Sequence, residues 1–235
     1  MEKIKLFCLP YAGGSSSSYY MFKNYLDNNI EICPIELAGR GIRFTDKLNQ
    51  NFEEVLSDIF EHVKCKIDST PYAIFGHSMG SWLAYELYNK IDENKLKIPI
   101  HLFLSGRGSP LEKNNRIISN KSDEKLKEFL KELGGTDTIL LNNDDAMNMF
   151  IRIIRSDFKL LENYKYREYP RKIRSKVSII NGSRDNSITK EGLELWKRLI
   201  DNHIEYKFYN GSHFYFKKRA DLLCDYINKT LLKEH

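Results

Sequence analysis

The segment with the clearest chemistry is residues 76–80, which have the sequence GHSMG and fit the pattern G-x-S-x-G. An apolar, strand-like run at residues 72–75 precedes it, and a helical pattern starts at Ser81. Glycines at both ends allow a tight turn from strand into helix, which lifts the side chain of Ser78 to the edge of a sheet. The dipole of the following helix favours negative charge there. Ser78 is the predicted nucleophile; the alternative is a glycine-rich turn with an incidental serine.

A serine hydroxyl at its ordinary pKa is a poor nucleophile, so the chain must also supply a base. In folds that use this turn, the acid and the histidine follow the serine in that order. The sequence has six histidines, and only His213 lies in a loop between a late strand pattern and the last helix. His213 is the predicted base; the alternative is an ordinary loop histidine.

The acid is expected at the end of the strand that precedes this histidine. Asp185 follows a strand pattern at residues 177–180 and is the only carboxylate in its turn. It could accept a hydrogen bond from His213 and fix its tautomer. The alternative role for Asp185 is a turn or helix-capping residue. Asp157 is a rival acid, ranked lower because it lies in a helical stretch.

An oxyanion hole needs two backbone N–H groups. One is predicted at Met79, directly after the nucleophile, and the other in the loop that follows the first strand. Glycines at positions 13 and 14 let that loop turn its N–H groups inward. Ala12 is the predicted second donor, with Tyr11 as the alternative.

Strand and helix patterns alternate along most of the chain, which predicts a mostly parallel sheet covered by helices on both faces. The predicted strands are residues 3–9, 30–37, 72–75, 98–104, 177–180 and 204–209. The predicted helices outside the insertion described next are residues 19–27, 52–67, 81–91, 192–200 and 221–232. Asn51 is the candidate N-cap of the second of them, with Glu54 three residues later.

Residues from about 109 to 174 interrupt this alternation. They contain no convincing strand pattern, but helical patterns occur at residues 123–133 and 145–163. We predict one domain over residues 1–235 with a helical insertion that forms a lid over the site. The alternative is a helical excursion that only packs on the sheet.

Composition limits the remaining possibilities. The chain has 235 residues, of which 41% are hydrophobic and 29% charged, with a net charge of +5; this mix excludes collagen, coiled coil and wholesale disorder. No apolar run is long enough to span a bilayer, and no signal-peptide pattern is present, so a cytoplasmic protein is predicted. No basic run interleaved with aromatics indicates nucleic-acid binding, and the four cysteines lack zinc-ligand spacing.

Eight separated segments together resemble the stand-alone type II thioesterases of nonribosomal peptide and polyketide assembly lines, which have the α/β-hydrolase fold. The loop over residues 9–14 (LPYAGG), the loop over residues 36–43 (ELAGRGIR) and the segment over residues 155–158 (RSDF) are more specific than the GHSMG turn. The other segments are residues 104–107, 133–136, 182–185 and 211–214. They occur in family order across nearly the whole chain. Ala38 stands where the family usually has proline, and Ser156 where it usually has alanine.

The resemblance implies a function. Ser78, Asp185 and His213 would be the catalytic triad, and Met79 and Ala12 the oxyanion hole. The enzyme would hydrolyse acyl thioesters of 4′-phosphopantetheine on carrier proteins, removing misprimed or stalled groups. No metal or cofactor of its own would be needed, since the substrate carries the 4′-phosphopantetheine, and a monomer would suffice.

Carrier proteins are usually acidic, so basic residues could steer their docking. The candidates are Arg107, Lys121 and the stretch over residues 171–176. A solvated charged face is the alternative for each.

Three other functions remain open from the sequence. They are hydrolysis of small oxygen esters by a carboxylesterase or lipase, acyl transfer to an alcohol or amine, and a catalytically silent binding module on the same fold. The complete set of serine, aspartate and histidine in the expected order argues against the last.

Overall fold

The computed structural model describes residues 3–112, 117–135 and 143–233. Six strands form one sheet, in the order β2-β1-β3-β4-β5-β6, and every neighbouring pair is parallel. This confirms the predicted parallel sheet. The strands are β1 Ile4–Leu9, β2 Ile30–Pro34, β3 Tyr72–His77, β4 His101–Ser105, β5 Lys176–Gly182 and β6 Ile204–Tyr209.

Strand β1 shows why the strand patterns are nearly continuous apolar runs. Phe7 and Leu9 belong to one hydrophobic core, whereas Leu6 and Cys8 belong to a second core. Successive side chains of a strand point to opposite faces, so both faces of the sheet are covered. Residues that bind a ligand are therefore expected at the ends of the strands.

Seven α-helices are described. They are α1 Phe52–Lys64, α2 Met79–Glu93, α3 Asp123–Leu133, α4 Asp144–Glu162, α5 Lys190–Leu195, α6 Tyr215–Lys218 and α7 Ala220–Leu232. Asn51 caps α1 by accepting a hydrogen bond from the N–H of Glu54 at 2.9 Å, as the sequence predicted.

Two predicted helices differ from the structure. Residues 19–27 were expected to form a helix, but the chain forms a 3₁₀ helix over Ser16–Asn24. Its start is serine-rich, and serine hydroxyls compete with helical hydrogen bonds; the N–H and hydroxyl of Ser16 both donate to Glu36 instead. The helix expected at residues 192–200 begins earlier, as α5, and ends in a 3₁₀ turn over Trp196–Arg198.

The region between β4 and β5 contains α3 and α4, which pack together over a small hydrophobic core of their own that includes Leu126, Leu130, Met147 and Ile151. Residues 113–116 and 136–142 of the predicted insertion lie outside the described residues.

Among the helices of the described ranges, none has the length and apolar character needed to cross a membrane. The same ranges contain no group of three or more His, Cys, Asp or Glu side chains that could hold a metal ion.

Candidate active site

Ser78 sits at the turn between β3 and α2, and its backbone is strained. Its φ is 55° and its ψ is −115°, a conformation that L-residues seldom adopt. The turn is possible because its flanking residues lack side chains: a Cβ on Gly76 would lie 2.0 Å from the carbonyl oxygen of Gly80. The N–H of Ser78 donates to the carbonyl of Ser105 on β4 at 2.7 Å, which fixes the turn against the sheet.

His213 and Asp185 form a buried pair next to this turn. Nδ1 of His213 lies 2.7 Å from Oδ2 of Asp185, and their side chains are 6% and 2% exposed. With the carboxylate ionised, Nδ1 is the donor, so Nε2 is left as an acceptor. Ser78 and His213 line the same cavity, so the structure brings together all three residues predicted as the triad.

Ser187 completes the environment of Asp185, and the sequence analysis missed it. Its N–H and hydroxyl donate to Oδ1 of Asp185 at 3.0 and 2.6 Å. Burial opposes ionisation of Asp185, but the hydrogen bonds from His213 and Ser187 outweigh it and lower the pKa of the carboxyl. A serine two residues after an aspartate is the signature of a local turn, which is the signal that could have found it.

A second histidine, His77, lies under the ring of His213. The two ring centroids are 4.9 Å apart, and Nδ1 of His77 is 2.9 Å from the hydroxyl of Ser105. Burial, with smaller contributions from His213 and Lys217, lowers the pKa of His77 well below its ordinary value. His77 is therefore neutral, and its ring packs against the ring of His213.

The loop after β1 carries the second predicted oxyanion donor. The N–H of Gly14 donates to the carbonyl of Tyr11 at 2.8 Å, which closes a turn around Ala12. Within residues 3–112, 117–135 and 143–233, neither the N–H of Ala12 nor that of Met79 has a hydrogen-bond acceptor. Ala12 lines the cavity with Ser78, so two unpaired backbone donors are available where an oxyanion hole was predicted.

Asp157, the rival acid, has a different place. It is fully buried and pairs with Arg40 through contacts of 2.6 and 2.8 Å. Oδ2 also accepts a hydrogen bond from the N–H of Gly13 at 2.7 Å. Burial opposes the charge on Arg40, but Asp157 outweighs it and raises the pKa of Arg40. Asp157 therefore joins helix α4 to the loop after β1, and Asp185 is the aspartate that contacts His213.

The cavity over these residues has a volume of about 630 Å³. Helices α3 and α4 supply much of its apolar wall, which includes Phe129, Leu130, Phe150, Ile154 and Phe158. The wall also contains charged groups from Arg107, Glu112, Glu162 and Lys217. A cavity of this size, mostly apolar with a few polar groups, is typical of a site for a small organic ligand.

Known proteins share this chain's sequence and fold. The family model described as "Thioesterase domain" matches residues 4–231. The chain is 29% identical over 233 residues to the gramicidin S biosynthesis protein GrsT of Aneurinibacillus migulanus, which covers 97% of this chain and 89% of that protein. It is 27% identical over 229 residues to thioesterase PikA5 of Streptomyces venezuelae, covering 97% and 81% of the two chains. The crystal structure of ClbQ from the colibactin NRPS/PKS pathway superposes with a TM-score of 0.93 at 29% identity, covering 99% and 98% of the two chains.

The chain belongs to the thioesterase domain family. It is a thioesterase of the α/β-hydrolase fold. The predicted family and fold are thereby confirmed. The small-ester hydrolase and the silent binding module are not favoured.

Proposed function

We propose that this thioesterase hydrolyses acyl groups from the 4′-phosphopantetheine arm of carrier proteins and so clears misprimed or stalled groups from a synthetase. The observation that carries the proposal is the buried His213–Asp185 pair, 2.7 Å apart, whose histidine lines the same cavity as the strained Ser78. This is the arrangement that acyl transfer to a serine requires.

The chemistry follows from the positions of these groups. Ser78 Oγ attacks the thioester carbonyl while Nε2 of His213 takes its proton. The N–H groups of Met79 and Ala12 stabilise the tetrahedral oxyanion. The C–S bond then breaks, and the pantetheine thiol leaves with the proton from His213. A water molecule, deprotonated by His213, attacks the acyl-serine and releases the free acid and Ser78.

Asp185 and the helix dipole make these steps easier. The carboxylate of Asp185 stabilises the imidazolium that forms on His213 during each proton transfer. The N-terminus of α2 lies directly after Ser78, and its dipole favours the negative charge that develops on the substrate. No step needs a metal ion or a cofactor held by the protein.

The partner is proposed to be an acyl or peptidyl carrier protein, with a monomer of this chain as the active unit. Carrier proteins are usually acidic, and the net charge of this chain is +5, which favours their encounter. Of the predicted docking residues, Arg171 and Arg174 interact with Asp92, whereas Arg107 lines the cavity. All four cysteines are free, which fits a reducing, cytoplasmic location.

The test compares two substrates with two proteins. Wild type and Ser78→Ala would be given an acetyl-phosphopantetheinyl carrier protein and a small p-nitrophenyl ester. We expect fast, Ser78-dependent deacylation of the carrier and weak turnover of the ester.

Strong ester turnover with an untouched carrier would contradict the proposal and leave a generic esterase. Appearance of a transfer product when an alcohol or amine is added would instead indicate acyl transfer. Ser78→Ala should lose both activities. An unchanged circular dichroism spectrum of this variant would show that the loss is not caused by misfolding.

A further inference from the structure

The backbone of Arg107 is held rigidly at the edge of the cavity. Arg107 follows β4, the strand that accepts a hydrogen bond from Ser78. Its carbonyl accepts from Nε1 of Trp196 at 3.2 Å, and the carbonyl of Gly108 accepts from Nε1 of Trp82 at 2.9 Å. Two indole donors therefore fix two consecutive peptide groups, those that contain the carbonyls of Arg107 and Gly108.

The guanidinium of Arg107 lies across the indole of Trp82. Its central carbon is 4.1 Å from the ring centroid. Trp82 follows Ser78 by four residues on α2, which places it about 5–6 Å further along the helix axis. Ser78, Trp82 and Arg107 all line the cavity. An acyl chain whose carbonyl sits at Ser78 would thus occupy the same cavity as this cation.

The other charged groups of the cavity wall already have partners. Glu112 accepts a hydrogen bond from the hydroxyl of Thr189. Glu162 accepts from two backbone N–H groups at 2.6 and 2.8 Å, and Lys217 donates to the carbonyl of Gly135. Of these four groups, only the guanidinium of Arg107 forms no hydrogen bond within the described ranges; its contact there is with the ring of Trp82.

This cation is also partly buried. Burial lowers the pKa of Arg107 to about 10, and the nearby Glu112 carboxylate opposes that shift. The group therefore remains protonated at neutral pH. Trp82 covers one face of the guanidinium, so the N–H groups of Arg107 can donate along the plane into the cavity.

We propose that Arg107 is a specificity-determining residue that donates hydrogen bonds to an oxygen on the acyl chain of the substrate. The enzyme accordingly prefers acyl groups that carry a hydroxyl, keto or carboxylate oxygen near the thioester over pure hydrocarbon chains. This inference rests on the proposed thioester hydrolysis and adds the class of acyl group that the cavity selects.

The experiment uses four pantetheine thioesters whose acyl groups have the same number and connectivity of heavy atoms. They are 3-methylbutanoyl, 3-hydroxybutanoyl, acetoacetyl and malonyl. With the Ser78→Ala background subtracted, we expect kcat/KM of the wild type to be at least about tenfold higher for one or more oxygenated groups than for 3-methylbutanoyl. The oxygenated group that gains most identifies the oxygen that Arg107 binds.

Variants show whether the preference comes from the guanidinium. Arg107→Met keeps an unbranched side chain about as long as the aliphatic part of arginine but removes the charge and the donors, and it should reduce the ratio to about one. Arg107→Lys should retain part of the ratio for malonyl, since a point charge still attracts a carboxylate. Arg167→Met is a matched control: Arg167 also stacks on an aromatic ring, at 4.9 Å from Tyr169, but lies 63% exposed. It should leave the ratio unchanged.

The inference would be overturned if the ratio of kcat/KM for oxygenated over hydrocarbon groups were the same in wild type and Arg107→Met. It would also be overturned if Arg107→Met lowered kcat/KM equally for all four substrates, because that would indicate a structural role. If the wild type hydrolyses none of the four, the proposed function fails instead. Calorimetric binding of the same thioesters to Ser78→Ala then still decides the role of Arg107, because equal affinities for the oxygenated and hydrocarbon groups would contradict it.

Discussion

Asp185 and Asp157 are two carboxylates with buried side chains, and they differ in their partners. The side chain of Asp185 is 2% exposed and contacts an imidazole, whereas that of Asp157 is 1% exposed and contacts a guanidinium. An imidazole gains and loses a proton near neutral pH, but a guanidinium stays charged. The partner therefore decides the role: Asp185 can assist proton transfer, while Asp157 can only hold structure together.

The two pairs also join different parts of the fold. Asp185 and His213 follow the neighbouring strands β5 and β6 at one edge of the sheet. Asp157 lies on α4 and reaches Arg40 and Gly13, which precede it by more than a hundred residues. Its ion pair fastens the helical insertion to the loop that carries Ala12. The comparison predicts that activity and stability can be separated by mutating one aspartate or the other.

The largest effect is expected for Asp185→Asn. An amide cannot hold His213 in the correct tautomer or stabilise its imidazolium, so kcat should fall by about 10⁴-fold. The free energy of unfolding should change little, because the amide oxygen can still accept a hydrogen bond. Steady-state thioester hydrolysis and urea unfolding of the same sample would check both. Retention of a tenth or more of the activity would remove Asp185 from the triad.

The second-largest effect is expected for Asp157→Asn, which should lower the stability of the fold rather than the catalytic rate. Neutralising this carboxylate leaves the Arg40 guanidinium buried without a counterion, which should lower the free energy of unfolding by about 3–5 kcal/mol. The activity of the folded fraction should fall much less than in Asp185→Asn, because the amide oxygen can still accept from Gly13. Urea unfolding, followed by assays at a temperature where the variant is folded, would measure each.

Asp58→Asn is the matched control for that variant. Asp58 also makes two contacts with an arginine, Arg43, at 2.7 and 3.0 Å, but both side chains are 20% exposed. Solvent screens such a pair, so the loss should be about 1 kcal/mol or less. Equal losses for Asp58→Asn and Asp157→Asn would show that burial does not distinguish the two ion pairs.

The smallest effect is expected for His77, a buried imidazole that contacts no carboxylate within the described residues. Its pKa is lowered in the folded protein, chiefly by burial, so the unfolded chain binds the proton more tightly. The stability that neutral His77 contributes is complete above the pKa of a histidine in the unfolded chain, about 6.5. Below that pH it is lost, and the free energy of unfolding should fall by up to about 1.4 kcal/mol per pH unit. Urea unfolding between neutral and mildly acidic pH should show this slope, and His77→Asn should flatten it. An unchanged slope would mean that His77 is not held neutral.

The sequence predicted local features well. The GHSMG turn, the six strands and the Asn51 cap depend on residues close together in the chain, where steric limits and periodicity decide the outcome. His213 and Asp185 were identified from their order and from strands ending at one edge of a parallel sheet. The structure places them in contact, while their catalytic role stays a prediction.

Features that depend on distant contacts were not predictable in this way. Nothing near Asp157 indicates that Arg40 will be its partner, since the pair is separated by 117 residues. Arg107 was interpreted as a docking residue because a sequence does not show that Trp82 will lie beneath it. The serine-rich start of the 3₁₀ helix was missed because Glu36, also distant in the chain, takes the hydrogen-bond donors of Ser16.

The most direct test of the proposed triad is covalent labelling by a fluorophosphonate, followed by mass spectrometry of the intact protein and its peptides. The account predicts a single adduct on Ser78, formed rapidly in wild type and Asp157→Asn and far more slowly in Asp185→Asn and His213→Ala. No adduct on Ser78, or equal labelling rates in wild type and Asp185→Asn, would contradict the assignment of Ser78, His213 and Asp185 as the hydrolytic centre.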